Sequence, residues 1–507
     1  MPQGVLPFKY ECEQTSSGLT ALAGLPLYLD LARVAGLAGS LNKHLGVRAQ
    51  GQGWSDSEVV LSLVLLNLAG GNCVDDLDIL EKDDGFCRVL RKTLFSEGTR
   101  KQRREQARRW RKGKQRNVPS PSSVFRYLEA FSVEEQQSSR QLGKAFIPTP
   151  NKHLRGFSLV NREMLAFAQA NAPQKVATLD MDATLIETYK SDALYCYKGY
   201  KAYQPLNTWW AEQKMFLHTE FRDGNVPAGY EQTRVLQDAL ACLPQGVETV
   251  RLRSDTAGYQ HELLRYCARG EDKRFGRIQF AIGCDVTTEF KKAVAAVPEE
   301  EWKPFTKRVN GRVVHTGKQW AEVCFVPNAI GNSKNGPEYR YIATRRCLEE
   351  QLLLPGVDQE RVYPFPTIQK SGKRYKIHGA VTNMNWPGQE LLEWLYQRCG
   401  KSEEAHGALK TDLSGGVLPS GEFGANAAWW WVSVISFNLN ALMKSLALGL
   451  EWASSRLKAL RFGLINVPAR VLTHARTFLV RLCQGHPAYE LFLAARRRIF
   501  ELFPAPG

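Results

Sequence analysis

Val176-Ala-Thr-Leu-Asp-Met-Asp-Ala-Thr184, near the middle of the chain, is the stretch whose reading decides the fold. Its residues are small, branched or apolar and show no helical period, so it reads as a short β-strand ending in a loop or helix. Alternation along a strand puts Asp180 and Asp182 on one face. Two carboxylates side by side repel each other, an arrangement that suits a cation between them or one acid kept protonated. Hard divalent ions such as Mg²⁺ take oxygen ligands and reach a protein through one or two carboxylates. Taken alone, the pair fits equally well a strand end that is solvated or matched by basic residues. Partners further along the chain weigh between the two.

The chain has 507 residues, which on typical domain size corresponds to about three domains. Hydrophobic residues make up 44% and charged residues 23%, the balance of a soluble globular protein. A net charge of +16 and a pI near 9.3 point to a polyanionic partner, nucleic acid before a membrane surface. The 11 cysteines are scattered singly with no C-x-x-C pair, which argues against a disulfide framework or a zinc ribbon and for a reducing, cytosolic compartment. Met1-Pro-Gln-Gly-Val-Leu-Pro-Phe-Lys9 shows no secretory pattern. The apolar tracts Val59–Leu68 and Ala427–Leu450 read as buried helices: the first is too short to span a bilayer, and Asn438, Asn440 and Lys444 interrupt the second.

Outward from the central strand, residues 1–150 read as a helical, DNA-binding region. Ser55-Asp-Ser-Glu58 is a capping box, Ser132-Val-Glu-Glu135 fits a second, and Gly70-Gly71 ends the first helix. The acidic run from Asp75 to Asp84 reads as a solvated helix surface. Between Arg100 and Arg116 stand ten basic residues and one Glu, among them Arg103, Arg104, Arg108, Arg109, Arg111 and Lys112. They suit a phosphate-tracking segment beside a helix capped by Ser122 or Ser123. Residues 151–275 hold the central strand, hairpin strands at Tyr197–Pro205 and Lys214–Arg222, a helix at 230–243, and a strand ending at Asp255. Ligand chemistry in open α/β sheets gathers at such strand ends. Residues 276–382 read as an inserted β-rich unit whose Trp302 and Trp320 are core residues or base-stacking platforms. Residues 383–450 return to helices, and 451–507 read as basic amphipathic helices.

On the helix Lys401-Ser-Glu-Glu-Ala-His-Gly-Ala-Leu-Lys410, positions i, i+3 and i+7 put Glu403, His406 and Lys410 on one face. A carboxylate there could complete a metal site while the lysine neutralises a phosphate. A surface helix has the same pattern, but the buried Trp429-Trp-Trp431 segment that follows makes a firm platform.

In order and spacing, Leu179-Asp-Met-Asp-Ala-Thr184, Leu252-Arg-Ser-Asp-Thr-Ala-Gly-Tyr259, Val381-Thr-Asn383 and Tyr396…Arg398…Glu403…Lys410 resemble the DDE transposases of bacterial insertion sequences, in particular the thirteen-eighty group. Gly70-Gly71…Asp75-Asp-Leu77, Pro119-Ser-Pro-Ser122, Arg222-Asp-Gly-Asn225 and Asn466-Val-Pro-Ala-Arg470 share in the likeness, which spans about residues 18 to 480. The resemblance implies a ribonuclease-H-like α/β core with a mixed sheet, a β-rich insertion before the last acid, and flanking helical N- and C-terminal regions. It implies Asp182, Asp255 and Glu403 as the catalytic, metal-binding triad, with Asp180 the alternative first ligand. Asp182 is preferred because the family's first acid stands two residues before Thr or Ser. Tyr396, Arg398 and Lys410 match a Tyr–Arg–Glu–Lys signature that contacts phosphate, with one departure: Arg398 lies one residue nearer Tyr396 than in that pattern. Two Mg²⁺ per site, with Mn²⁺ as substitute, would support cleavage at terminal inverted repeats and joining of 3′-OH ends to target DNA. The expected partners are double-stranded DNA and a second copy of the chain, in the bacterial cytoplasm and with no membrane.

Two alternatives stay open on the residues alone. Asp180 and Asp182 also satisfy the D-x-D-x-T motif of haloacid-dehalogenase-type phosphatases, although no Gly-Asp-x-x-x-Asp or Asp-Asp pair follows Thr184. A non-catalytic DNA-binding relic would keep the basic charge without the chemistry.

Overall fold

A computed structural model describes residues 18–48, 53–94, 104, 116–141, 143–309, 312–327, 339–348 and 363–503. The chain divides into two units, one of residues 173–185 and 204–406, the other of residues 1–172, 186–203 and 407–507.

The first unit is built on a ten-stranded mixed sheet. Its first strand, β1 (Val176–Ala183), is the expected one, and its interior run Ala177–Met181 is buried. β2 (Leu206–Trp210) and β3 (Met215–Glu220) follow as an antiparallel hairpin, with Lys214 in a left-handed conformation at the turn. β2 pairs antiparallel with β1, while β4 (Thr249–Ser254) and β5 (Gln279–Cys284) run parallel to it on the other side. The resulting order β3-β2-β1-β4-β5 is that of a ribonuclease-H-like core. Helices α1 (Gln232–Cys242) and α2 (His261–Arg269) connect the parallel strands, and each buries an apolar stripe.

The hairpin's first strand begins later than the sequence suggests. Residues 197–205 were expected to be extended, but within them only Ala202–Tyr203 forms a strand, paired with Ile186–Glu187, and Lys201 makes a single bridge to Tyr195. Gly199 turns with φ +84°, and Pro205 has no N–H to give a ladder, so regular pairing starts at Leu206.

The β-rich insertion extends the same sheet. β6 (Lys303–Val309), β7 (Arg312–Val323), β8 (Arg340–Cys347), β9 (Thr367–Lys370) and β10 (Lys373–Thr382) are joined antiparallel, and β10 pairs with β5. Helix α3 (Thr288–Ala296), not foreseen in the sequence, precedes them and is capped by Thr287. Helix α4 (Gly388–Tyr396) covers the junction: Leu391, Leu392 and Leu395 pack against Phe305, Trp320 and Ile342. Each fully buried leucine contributes about 1.5–3 kcal/mol of transfer free energy, before the entropy of ordering it. Trp302 and Trp320 are both buried, and Arg345 stacks on Trp302 at 4.2 Å, so both belong to the core.

The second unit is mainly helical. Its axis is the helix Phe423–Leu442, extended by a π-helical stretch Met443–Leu448. This stretch is long and apolar enough to cross a membrane, but 78% of its most apolar window is buried within the protein. Its few polar side chains are matched: Tyr28 Oη donates to Asn440 Oδ1 at 2.8 Å, and Asn438 Nδ2 to Asn161 Oδ1 at 2.7 Å. The capping box at Ser55 forms as expected, and Gly70 ends that helix with φ +106°. Two expected caps do not form. Ser120, rather than Ser122 or Ser123, caps the helix Pro121–Glu129, because Pro121 suits the first helical position; Ser132 caps nothing, and Val133 precedes the next short helix.

The acidic run is structural rather than merely solvated. Asp83 accepts from Thr20 and Ala21, Asp84 from Gly18, and Glu81 from Asn117 and Val118, so the run ties together segments far apart in sequence. The expected all-helical C-terminal region contains a hairpin, Ala469–His474 with Thr477–Leu482, whose first strand also pairs with Leu19–Thr20. Its β-branched and alternating residues favour strands, and Ala475 and Arg476 both adopt the positive φ of a two-residue hairpin turn. The cysteines among the described residues are free thiols.

Candidate active site

Parallel pairing of β1 and β4 sets Met181 opposite Ser254, so Asp182 and Asp255 follow at the same level, at the C-terminal ends of neighbouring strands. Asp182 lies opposite Asn207 of β2. Asp255 has just left β4 and caps a single 3-10 turn, its Oδ1 accepting the Ala257 N–H at 3.0 Å. Asp255 stays exposed to solvent. The surrounding protein raises its carboxyl above the ordinary range, the Asp182 charge pushes the same way, and Arg398 opposes both.

Three side chains gather around one oxygen of Asp182. Ser402 Oγ donates to Oδ2 at 2.9 Å, Arg398 Nη1 lies at 3.1 Å, and His406 Nδ1 at 3.9 Å. Ser402 and His406 stand four residues apart on helix α5 (Lys401–Gly407) and are its buried face with Ala405. The helix that follows α4 is therefore fastened to the end of β1.

Asp180 leaves the same face of β1 as Asp182 but has a different neighbour. It faces Arg253 across the β1–β4 ladder and accepts two hydrogen bonds from it, Nε to Oδ1 at 2.6 Å and Nη2 to Oδ2 at 2.8 Å. Arg253 also donates to the Trp394 carbonyl at 2.7 Å and lies over the Trp394 ring. Burial pushes the Asp180 carboxyl up while Arg253 pulls it down, and burial prevails. Both oxygens of Asp180 are thus engaged in a buried ion pair that ties α4 to the sheet.

Glu403 lies on the exposed side of α5, as does Glu404, while His406 is buried. The common face expected for Glu403, His406 and Lys410 does not form. The α-helix has seven residues and gives way at Ala408–Asp412 to a π-helix, where α-helical spacing no longer applies. Among the described residues no three acidic, His or Cys side chains stand close enough together to hold a metal ion. Lys410 belongs to the other unit, where burial and then the nearby Lys198 lower its pKa. Tyr396 packs edge-on against Phe305, with its hydroxyl 3.3 Å from that of Thr344 and the Lys318 ammonium over its ring. In the basic segment Arg104 is exposed, and Arg103, Arg108, Arg109, Arg111 and Lys112 lie outside the described residues.

Sequence reasoning missed Ser402, Asn207 and Arg253. Arg253 carried a local signal, standing two residues before Asp255 as Asp180 stands two before Asp182. The others become partners only through pairing and docking. The pair suits a hard divalent cation: two carboxylates at adjacent strand ends, one of them disfavoured as an anion by burial and then by the charge of the other.

A family model described as Transposase DDE domain group 1 matches residues 9–504. Among solved structures, a match is the cryo-EM structure of the piggyBac transposase synaptic complex with hairpin DNA, at 8% identity, covering 88% of this chain and 80% of that one, with a TM-score of 0.38. No curated protein matches the chain.

Proposed function

The chain belongs to the DDE transposase family, group 1, and on that premise we propose that it cuts and rejoins DNA at the ends of a bacterial mobile element of the thirteen-eighty type. The observation that carries the reading is the register that brings Asp182 and Asp255 level at the ends of β1 and β4, with the Asp182 charge bearing on Asp255.

In this reading Asp182, Asp255 and Glu403 hold two Mg²⁺, or Mn²⁺ in their place. Glu403 is assigned from the family signature; its helix is fastened to Asp182 through Ser402, and its side chain, on the exposed side, has to turn inward to join the two aspartates. Asp180 is set aside as a ligand because Arg253 occupies both its oxygens. When bound, such ions supply the charge that activates an attacking hydroxyl and stabilises a leaving oxygen.

The reaction is phosphoryl transfer in two rounds. Water first adds to a phosphorus at the element's end; the bond to the 3′ oxygen breaks, and that oxygen takes a proton to become a 3′-OH. The 3′-OH then adds to a target phosphorus and displaces the target's own 3′ oxygen. Arg398 supplies a fixed positive charge beside the acids. The net charge of +16 and the basic run from Arg100 to Arg116 give a salt-dependent hold on the duplex. Two ends cut together call for two copies of the chain. The phosphatase alternative has no support in the family match.

The test is Asp255→Ala in purified protein on DNA carrying the element's ends. Binding of the ends is retained, and Mg²⁺-dependent cleavage is lost. Cutting at the wild-type rate by this variant would overturn the assignment, and end binding without any cleavage by the wild type would leave a DNA-binding relic.

A further inference from the structure

We infer that His406 is a positioning residue for Asp182, held in one tautomer by a buried relay through Asn207 and Thr219. The inference rests on the transposase reading for its consequence, though not for its geometry.

Thr219 on β3 lies opposite Asn207 on β2, and its hydroxyl donates to Asn207 Oδ1 at 2.6 Å. That bond leaves the Asn207 amide nitrogen, a donor only, toward His406 Nε2 at 3.1 Å. A nitrogen that accepts carries no proton, so the neutral imidazole bears its proton on Nδ1, the atom facing Asp182. Phe216 stacks on the imidazole, with ring centroids 6.0 Å apart and planes 18° apart, which fixes its rotation. All three side chains are almost fully buried. At 3.9 Å the Nδ1 atom is too far for a direct hydrogen bond, yet its N–H dipole favours the charged carboxylate. With Ser402 and Arg398 it fixes the orientation of Asp182 through Oδ2. Neighbours of this kind commonly set ligand affinity by about 10–100-fold.

Two measurements test it. In protein with ¹⁵N-labelled histidine, the His406 resonance, assigned by its loss in His406→Gln, shows the Nδ1–H tautomer, and Asn207→Leu releases that preference; an Nε2–H tautomer in the wild type overturns the relay. Mn²⁺ alone is then titrated and followed by melting temperature. His406→Asn, which keeps a donor near the Nδ1 position, binds close to wild type, whereas His406→Gln and His406→Ala weaken binding about tenfold. Equal behaviour of the Asn and Gln variants, or unchanged binding in the Ala variant, overturns the inference alone. A wild type as unresponsive to Mn²⁺ as Asp255→Ala sinks the functional reading and this inference together.

Discussion

Ser402 donates a 2.9 Å hydrogen bond to Asp182 across 220 positions of sequence. The helix that carries it has seven residues, too few to be stable alone, so it is held by what its buried face touches. Ser402→Ala removes one of the donors on Asp182 and leaves the hydroxyl-bearing Ser402→Thr as its control. About a tenfold rise in the Mg²⁺ concentration for half-maximal cleavage is expected of the Ala variant, with the Thr variant near wild type. Identical Mg²⁺ curves for all three proteins would show that the hydroxyl does not position Asp182.

Arg398 is the cation that acts on both candidate acids. Arg398→Met leaves Asp182 and Asp255 facing each other with less compensation, at an expected cost of about 1–3 kcal/mol in metal-free buffer. Mg²⁺ should restore part of that loss, so its stabilising effect is larger in the variant than in wild type. Parallel melting curves with and without Mg²⁺ check this, and an equal Mg²⁺ response in both proteins would count against a shared site.

The Asp180–Arg253 pair is nearly sealed from solvent, with side chains 1% and 4% exposed. Arg253→Met strands a buried carboxylate, which is expected to cost about 3–5 kcal/mol in urea unfolding. The double change Asp180→Asn with Arg253→Met should recover much of the loss, since no uncompensated charge remains. A single Arg253→Met variant as stable as wild type would remove the structural role given to this pair.

In the helical unit, Glu163 on the helix Lys152–Asn171 meets Lys43 and His44. Partial burial pushes its carboxyl up, but hydrogen bonds from His44 and Lys43 outweigh it and hold the pKa down to about 2. A pKa lowered by folding contributes stability that is present above the ordinary carboxylate value and is lost as pH falls toward the folded one. Wild type should therefore lose more stability than Glu163→Gln between about pH 4.5 and pH 2. Chemical denaturation across that interval is the check; parallel curves for the two proteins would refute the linkage.

What the sequence determined by itself was whatever short stretches encode alone. The apolar, branched run at 176–184 specified β1 and set two aspartates on one face; Ser55 and Glu58 specified a helix start; Asp255 before Thr-Ala-Gly marked a strand end. Only tertiary structure separated the two aspartates. Arg253 reaches Asp180 because β4 pairs beside β1 in one register, while Ser402 on α5 and Arg398 in the turn before it reach Asp182 because that segment docks at the strand end. Likewise β10 joined the insertion to β5, and Leu19–Thr20 paired with the C-terminal hairpin, through ladders between distant residues. Strand pairing and the facing of a seven-residue helix are settled by non-local contacts, and local periodicity has no access to them.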